Sequence, residues 1–328
     1  MSKLKIVFTD YYYPNNNTEL AILAELGDDI EVVDCTKKVS GGVKAEDELL
    51  AYVKDADAII VQFAQISARV IEQLDRCKVI ARYAIGVDNI DIPAATKKKI
   101  YVANVPDYCI DEVADTAMGH ILNGVRKMSC ARDLLLKNEF AMSAIRPVKR
   151  IEDCALGLLG FGNIARNLAK KGAHFFNEIL AFDPYFSDQE SYPSIKFVSK
   201  EELLNAADVI SIHVPLNDST RGMLGKTEFG MMKDGVVVVN TARGGIFDER
   251  ALQASLDSGK VSFCGLDVLS TEDFASSPLL RNPKVMLTPH ISWYSEGAMD
   301  ELQEKTARNI VSMFTNGCPV YAVNDVGD

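Results

Sequence analysis

Short apolar runs alternate with longer amphipathic stretches along most of this 328-residue chain. In the first hundred residues, the apolar runs predict strands at 6–8, 30–33, 58–61, 79–82 and 101–103, and helical patterns lie between them at about 17–26, 45–54, 67–75 and 91–98. Strands that alternate with helices fold into parallel sheets covered by helices. The pattern therefore predicts an α/β fold and excludes all-helical and all-strand folds.

A second series of apolar runs follows a long helical stretch at 110–136. These runs predict strands near 155–159, 179–182, 208–213, 235–240, 261–266 and 285–288, and a last helix runs from 296 to about 314. Two series predict two Rossmann-like or flavodoxin-like parallel-sheet domains. We expect a substrate-binding (catalytic) domain of residues 1–103 plus 296–328, a dinucleotide-binding Rossmann domain of residues 104–295, and an active site in the interdomain cleft.

Composition narrows the function classes. The net charge of −11 opposes nucleic-acid binding, because a phosphate backbone repels such a surface. The seven cysteines include no C-x-x-C pair, which indicates free thiols in a reducing compartment and no metal site. No apolar run approaches ~18 residues, and no basic leader precedes an apolar segment, so we expect a cytoplasmic protein without a membrane partner.

A glycine-rich turn follows the strand predicted at 155–159. In Gly160-x-Gly162-x-x-Ala165, the first glycine permits a tight turn, the second lets the backbone approach a pyrophosphate, and the third small residue packs helix against strand. Asp183 ends the next strand, where an acid binds the adenosine ribose hydroxyls. Its carboxylate would repel a 2′-phosphate, so the sequence predicts NAD, with NADH preferred over NADPH.

Three residues that suit acid–base chemistry stand at or beyond the ends of later strands: Arg243, Glu272 and His290. Ligands of open parallel sheets bind beyond the carboxyl ends of the strands. An arginine fork suits a carboxylate, an imidazole can exchange a proton with a carbonyl oxygen, and an adjacent glutamate would favour the imidazolium form. The set predicts hydride transfer to a 2-keto acid or from a 2-hydroxy acid.

The remaining histidines and a tyrosine cluster have less specific interpretations. His213 also ends a strand and is expected to line the cofactor pocket, whereas His120 and His174 are expected to be structural. The loop that contains Tyr11, Tyr12 and Tyr13 can approach a ligand, but packing is the favoured interpretation.

Together these segments resemble the D-isomer-specific 2-hydroxyacid dehydrogenase family over essentially the whole chain. The resemblance is carried by Arg82-Tyr-Ala-Ile-Gly86-Val-Asp88-Asn-Ile-Asp91, Asn104-Val-Pro106, the 160–165 turn, Thr241-Ala-Arg-Gly-Gly245, Gly265-Leu-Asp267-Val and Thr288-Pro-His290. The segment His290-Ile-Ser-Trp293-Tyr-Ser-Glu296 is similar to the branch that contains the C-terminal-binding-protein corepressors. Ala84 and Asp273 depart from the commoner Gly and Pro of the family.

The resemblance implies a role for each matching residue. His290 is the proton donor in reduction and the acceptor in oxidation, Glu272 is its partner, and Arg243 binds the substrate carboxylate. The resemblance also implies that the backbone N–H groups of Ile85 and Gly86 receive the carboxylate. Arg82, in the same loop, and Trp293, three residues after His290, are added as candidate substrate residues because of their positions, and packing in the core where the domains join is the open alternative for Trp293. The cofactor residues are Leu159, Gly160, Phe161, Gly162, Asn163, Ile164, Asp183, His213, Val214, Pro215, Thr220, Thr241, Ala242, Arg243, Asp267 (on the nicotinamide carboxamide) and His290. The family also implies a homodimer through the NAD domain.

Three alternatives remain open at this stage. An NAD(H)-sensing corepressor-like scaffold that recruits protein partners would keep the same residues. A formate dehydrogenase would lack the acid partner of the histidine, so Glu272 argues against it, while phosphite oxidation would use a similar triad. The residues around Ile85 and Trp293 favour an apolar 2-keto acid, although glyoxylate and hydroxypyruvate fit as well.

Overall fold

A computed structural model of the chain describes residues 3–139, 142–271 and 273–327. The chain divides into two compact units, Met1–Tyr108 with Ser295–Asp328, and Cys109–Tyr294. Residues 104–108 stay with the first unit beyond the crossing expected near 103, because their backbone bonds to it. The N–H of Val105 donates to the carbonyl of Ala84 (3.0 Å), and the carbonyl of Asn104 accepts from Asn309 Nδ2 (2.9 Å).

The described strands and helices follow the predicted alternation. The strands are β1 (Leu4–Phe8), β2 (Ile30–Asp34), β3 (Ala58–Val61), β4 (Val79–Arg82), β5 (Tyr101–Ala103), β6 (Ala155–Leu159), β7 (Glu178–Phe182), β8 (Lys196–Phe197), β9 (Val209–Ile212), β10 (Val236–Asn240), β11 (Val261–Leu266) and β12 (Val285–Leu287). The helices are α1 (Asn17–Leu23), α2 (Glu46–Val53), α3 (Ala68–Glu72), α4 (Ile92–Lys97), α5 (Ile110–Arg126), α6 (Met128–Leu136), α7 (Asn163–Gly172), α8 (Lys200–Ala206), α9 (Lys226–Met231), α10 (Glu249–Ser258) and α11 (Glu296–Asn316).

The first unit contains a five-stranded parallel sheet in the order β2-β1-β3-β4-β5. Every residue of β3, the central strand, is buried, as expected for a parallel sheet covered on both faces. A buried glutamate joins the last helix to this unit: Glu19 accepts hydrogen bonds from Tyr83 and from Gln303 of α11. Burial raises the pKa of Glu19 above its usual range.

The second unit contains a seven-stranded parallel sheet in the order β12-β11-β10-β9-β6-β7-β8. From β6 the chain moves outward through β7 to β8, then returns to β9 and continues in the opposite direction. The strand order therefore reverses between β6 and β9, where such sheets open a ligand crevice. The predicted α/β class with two parallel-sheet domains is confirmed. The described chain contains no helix of the length and apolar character that a bilayer crossing requires.

The prediction of a single helix at 110–136 is wrong, because the structure divides this stretch into two helices at Lys127. This residue has φ 54°, in the left-handed region, so the chain turns between α5 and α6. Helix α5 buries residues such as Val113, Ala117 and Ile121, whereas no residue of α6 is buried. Glycine or asparagine commonly marks such a break, and a lysine does not. The spacing of apolar residues along the sequence therefore could not predict the break at Lys127.

Candidate active site

The glycine-rich turn begins at the carboxyl end of β6, beside the end of β9. Gly160 has φ +91°, and a Cβ on it would lie 2.8 Å from the carbonyl carbon and oxygen of His213. Only glycine meets both conditions. The next residue, Phe161, is fully buried, and its ring makes edge contacts with three others, Phe186, Tyr192 and Phe197. The turn after Leu159 is therefore held rigidly by packing on one side and by β9 on the other.

The second glycine of the turn opens onto free space. Gly162 is the N-cap of α7 and has φ −71°, and a Cβ on it would meet no heavy atom within 4 Å. Asn163 and Ile164 form the first helical turn, where backbone N–H groups have no acceptor inside the helix and carry a partial positive charge. This open, donor-rich helix start fits the pyrophosphate of a dinucleotide.

Asp183, the acid at the end of β7, is hydrogen-bonded to the same turn. One carboxylate oxygen of Asp183 accepts from the N–H of Phe161 (2.8 Å), and the other accepts from the N–H of Tyr185 (2.9 Å). A carboxylate has about four acceptor positions, so the group can still accept two hydroxyl protons. The residue predicted to bind the adenosine ribose therefore lies directly against the residues predicted to bind the pyrophosphate.

The segment after β9 forms the facing wall of the turn. The N–H of His213 donates to the carbonyl of Leu159 (2.7 Å), and its Nε2 lies 2.8 Å from Ser211 Oγ. Burial lowers the pKa of His213 to about 4, so the ring is neutral near pH 7. After Val214, the Thr220 hydroxyl donates to the carbonyl of Pro215 (2.6 Å) and closes the loop. An uncharged ring at this wall is compatible with a place in a cofactor pocket.

The turn after β10 is closed by an asparagine that the sequence analysis did not single out. Asn240 Oδ1 accepts from the N–H of Ala242 (2.9 Å), and its Nδ2 donates to the carbonyl of Arg243 (2.8 Å). Arg243 Nη1 donates to the carbonyl of Ala242 (2.8 Å). The Thr241 hydroxyl is buried and has no hydrogen-bond partner within the described part of the chain, so it can serve a ligand. A Cβ on Gly244 would lie 1.9 Å from the carbonyl carbon of Leu269, so only glycine fits there.

The loop after β12 is bound to the end of β11 through Asp267, which is fully buried. Its carboxylate accepts from the Thr288 hydroxyl (2.6 Å) and from the N–H groups of Ile291 (3.0 Å) and Ser292 (2.9 Å). Its backbone carbonyl accepts from the N–H of His290 (2.8 Å). Asp267, implied by resemblance to contact the nicotinamide, thus also organises the loop that carries His290. Thr288 was missed, although its place directly after a strand was a usable signal.

The predicted catalytic residues can be placed only in part. His290 is half-buried and adopts φ +55°, while the indole N–H of Trp293 donates to its carbonyl (3.1 Å). Glu272, the predicted partner of His290, lies outside the described residues. In the second unit, the structure brings Asp183 to the glycine turn, His213 to the end of β6, and His290 to Asp267.

The predicted substrate loop of the first unit is held by the side chain of Arg82. Its guanidinium donates to the carbonyl of Gly86 and, through Nε, to the carbonyl of Gln62 (3.3 Å). The carbonyl of Ile85 accepts from Asn104 Nδ2 (2.7 Å). Both Ile85 and Gly86 are half-buried. Arg82 therefore shapes this loop through its backbone carbonyls.

An aromatic pair beyond the carboxyl ends of β1 and β3 was not identified from the sequence. Tyr11 and Tyr13 are buried, as the packing interpretation expects, but Tyr12 is 53% exposed. Its ring stacks on Phe63, with centroids 5.6 Å apart and an interplanar angle of 21°. Lys44 Nζ lies 5.0 Å from the centroid of the Phe63 ring. Neighbouring tyrosines in a loop carry no periodic signal that would separate the exposed ring from the buried ones.

Comparison with known proteins assigns a family to this arrangement. Residues 118–292, more than half of the chain, match the profile of the "D-isomer specific 2-hydroxyacid dehydrogenase, NAD binding domain". The chain is 39% identical over 250 residues to a hydroxypyruvate reductase of Thermotoga maritima, covering 75% of this chain and 81% of the relative. It is 35% identical over 312 residues to a D-3-phosphoglycerate dehydrogenase of Methanocaldococcus jannaschii, covering 94% of this chain but only 56% of that relative's length.

Solved structures agree with the assignment and differ in their cofactors. A D-lactate dehydrogenase from Aquifex aeolicus, complexed with NAD and lactic acid, is 27% identical with a TM-score of 0.82, covering 98% of this chain and 99% of its own. An acyclic imino acid reductase in complex with NADPH and D-arginine is 26% identical with a TM-score of 0.85, covering 98% of this chain and 100% of its own. The chain belongs to the D-isomer specific 2-hydroxyacid dehydrogenase family, and residues 118–292 match the NAD-binding domain of that family.

Proposed function

We propose that the protein is an NAD-dependent dehydrogenase that reduces a 2-keto acid to the D-2-hydroxy acid and catalyses the reverse reaction. The observation that carries the proposal is the loop of His290, which is hydrogen-bonded to Asp267 inside a domain that matches the NAD-binding domain of the family. A histidine on such an anchored loop is suited to proton exchange at a defined position.

Each residue of the proposed mechanism has a separate task. The glycine turn at Gly160 and Gly162 and the carboxylate of Asp183 would hold NADH, which when bound would supply the hydride for reduction of the keto acid. His290 donates a proton to the carbonyl oxygen in reduction and takes it back in oxidation. The planar fork of Arg243 binds the substrate carboxylate, and the N–H groups of Ile85 and Gly86 receive the same group. Glu272 is proposed to stabilise the charged imidazole.

The aromatic pair favours an apolar or aromatic side chain on the substrate. Tyr12 and Phe63 follow β1 and β3 and expose ring surface where ligands of parallel sheets bind. The carbonyl of Gln62, next to Phe63, is bound by Arg82, which also holds the substrate loop at Gly86. The pair and the loop therefore belong to one connected region of the first unit. The relatives named as hydroxypyruvate reductase and D-lactate dehydrogenase keep small keto acids among the candidates.

The test is oxidation of NADH with a panel of 2-keto acids: glyoxylate, hydroxypyruvate, pyruvate, 2-ketoisocaproate, 4-methylthio-2-oxobutyrate and phenylpyruvate. We expect turnover with a large apolar member. His290→Ala should still bind NADH but lose about 10³-fold in kcat, because proton transfer by a positioned side chain contributes about that much. His174→Ala is the matched control, since His174 is exposed on the loop after α7. Tight NADH binding without turnover of any panel member would reject the proposal in favour of the scaffold alternative.

We further propose a homodimer formed through the NAD-binding domain. Among the described residues of α6 and the segment after it, large exposed apolar side chains include Met128 (53%), Leu135 (55%), Leu136 (68%) and Met142 (68%). Apolar side chains that cluster on one segment of a surface commonly mark a protein interface. A second copy of this chain is the proposed occupant, in accord with the homodimer that the family implies.

A further inference from the structure

We propose that Trp293 is a positioning residue for His290, acting through the hydrogen bond from its indole N–H to the carbonyl of His290 (3.1 Å). The inference rests on the proposed function, in which His290 carries the proton. It assigns to the tryptophan a task different from contact with the substrate side chain. The backbone conformation of His290 sets the direction of its imidazole.

His290 has an uncommon backbone conformation. Its φ of +55° lies in the left-handed region, which residues other than glycine seldom adopt. Such a conformation persists only where surrounding contacts over-determine it, and these conformations cluster at functional sites. A histidine released from those contacts would return to a commoner conformation and would carry its ring in a different direction.

Contacts hold the peptide groups on both sides of the His290 Cα. On the amino side, its N–H donates to the carbonyl of Asp267 (2.8 Å). On the carboxyl side, its carbonyl accepts from the Trp293 indole, and the N–H of Ile291 in the same peptide group donates to the Asp267 carboxylate (3.0 Å). The N–H of His290 also donates to the carbonyl of Thr288 (3.0 Å), so several hydrogen bonds together over-determine the left-handed conformation.

The tryptophan contact can be removed with less damage than the aspartate contacts. Asp267 is fully buried and accepts from several groups, so its loss would leave buried donors without partners. Trp293 is half-buried, and its ring meets Tyr294 edge-on with centroids 5.5 Å apart. Removal of its N–H alone would keep that ring packing and break the hydrogen bond to the His290 carbonyl.

The chain contains a single tryptophan, so an amino-acid analogue supplied to a tryptophan auxotroph replaces only this residue. Benzothienylalanine has nearly the shape of tryptophan but lacks the N–H, and fluorotryptophan keeps the N–H as the matched control. In the benzothienyl protein we expect kcat to fall roughly tenfold, with the KM of the keto acid and the Kd of NADH within about twofold of wild type. The fluorotryptophan protein, which keeps the hydrogen bond to the His290 carbonyl, is expected to retain a higher kcat than the benzothienyl protein. A rise in KM at unchanged kcat would overturn the proposal, because it indicates substrate contact.

A readout without turnover separates this proposal from the proposed function. The chain has four histidines, so isotope-labelled histidine gives few ring signals, and that of His290 is assigned by its loss in His290→Ala. We expect its shift and titration midpoint to change only in the benzothienyl protein. A changed signal in an enzyme that turns over no keto acid would reject the function and keep the positioning role. An unchanged signal would overturn the positioning role, whatever the turnover.

Discussion

At the scale of single residues, the two glycines of the dinucleotide turn are required for different reasons. Gly160 combines φ +91° with close contact to the His213 backbone, so the fold itself demands glycine. Gly162 has φ −71° and open space where a Cβ would stand, so the folded protein accepts a larger residue there. Under the proposed function, only the bound pyrophosphate excludes that residue.

Gly162→Ala is therefore predicted to weaken NADH binding while leaving the stability of the fold nearly unchanged. Its free energy of unfolding should stay within about 1 kcal/mol of wild type, because alanine adopts this φ without strain. Its NADH affinity should fall at least about tenfold, because the methyl group occupies the space that the backbone leaves for the pyrophosphate. Urea unfolding and NADH titration measure the two quantities.

The matched variant Gly160→Ala should lose about 3 kcal/mol of stability, because it adds both a steric clash and a left-handed conformation. A Gly162→Ala protein that binds NADH as tightly as wild type would show that the dinucleotide does not approach this turn.

Asp183 carries the second prediction at this scale. We expect the wild-type enzyme to prefer NADH, and Asp183→Ala to narrow the ratio of kcat/KM between NADH and NADPH at least about tenfold, because one carboxylate near a 2′-phosphate is a repulsive charge. Asp188→Ala is the control, since this exposed acid follows on the same loop. A wild-type preference for NADPH, the cofactor held by the related imino acid reductase, would contradict the role.

At the scale of elements, the apolar runs predicted most strands closely. The ends of β3, β4, β5, β6 and β11 agree with the predicted ranges, because buried parallel strands are continuous apolar runs bounded by polar residues. The two-residue edge strand β8 was missed, since two residues have no period. The break at Lys127 was missed because nothing in a lysine side chain indicates a left-handed conformation.

At the scale of two strands, His213 at the carboxyl ends of β6 and β9 leads to a prediction of how the free energy of unfolding depends on pH. His213 joins the two strands through its N–H, and its pKa is lowered by burial from 6.5 to about 4. Between these values the unfolded chain binds a proton that the folded chain does not, so stability falls as the pH decreases from 6.5 towards 4. The loss attributable to His213 is about 2 kcal/mol after allowance for partial exposure.

Urea unfolding of wild type and His213→Gln at pH values across this window measures the effect. The glutamine variant should lose less stability than wild type on acidification. His120, whose pKa burial also lowers, contributes in the same direction, while Glu19, whose pKa is raised, contributes in the opposite direction. Both are present in the two proteins and cancel in the comparison. Parallel pH curves for the two proteins would exclude His213 as the cause.

At the scale of the whole molecule, the proposed homodimer leads to a prediction about α6. Replacing Leu135 and Leu136 by glutamate should convert a dimer into a monomer in sedimentation velocity, because two charges would have to be buried at the interface. Val320→Glu is the control, since this side chain is 55% exposed in the other unit. A dimer that survives the double change would place the interface elsewhere, and a wild-type monomer would reject the homodimer.

The sequence by itself determined the α/β class, most strand positions, the dinucleotide turn and the family. These features are local: a buried strand, a strand-to-helix turn and a short motif each occupy a few consecutive residues, and their physical requirements can be recognised there. His290 and Asp183 were predicted as site residues because each stands at or just beyond the end of a strand.

Only the tertiary structure decided which groups meet. The Asp267 carboxylate binds the loop of Thr288 to Ser292, the Trp293 indole holds the carbonyl of His290, and Tyr12 is exposed where its neighbours are buried. Each of these arrangements depends on the path of the chain between the partners or on the packing around one side chain. Two residues can form such a hydrogen bond at many different separations along the sequence. The folded backbone determines which residues are close enough to form it.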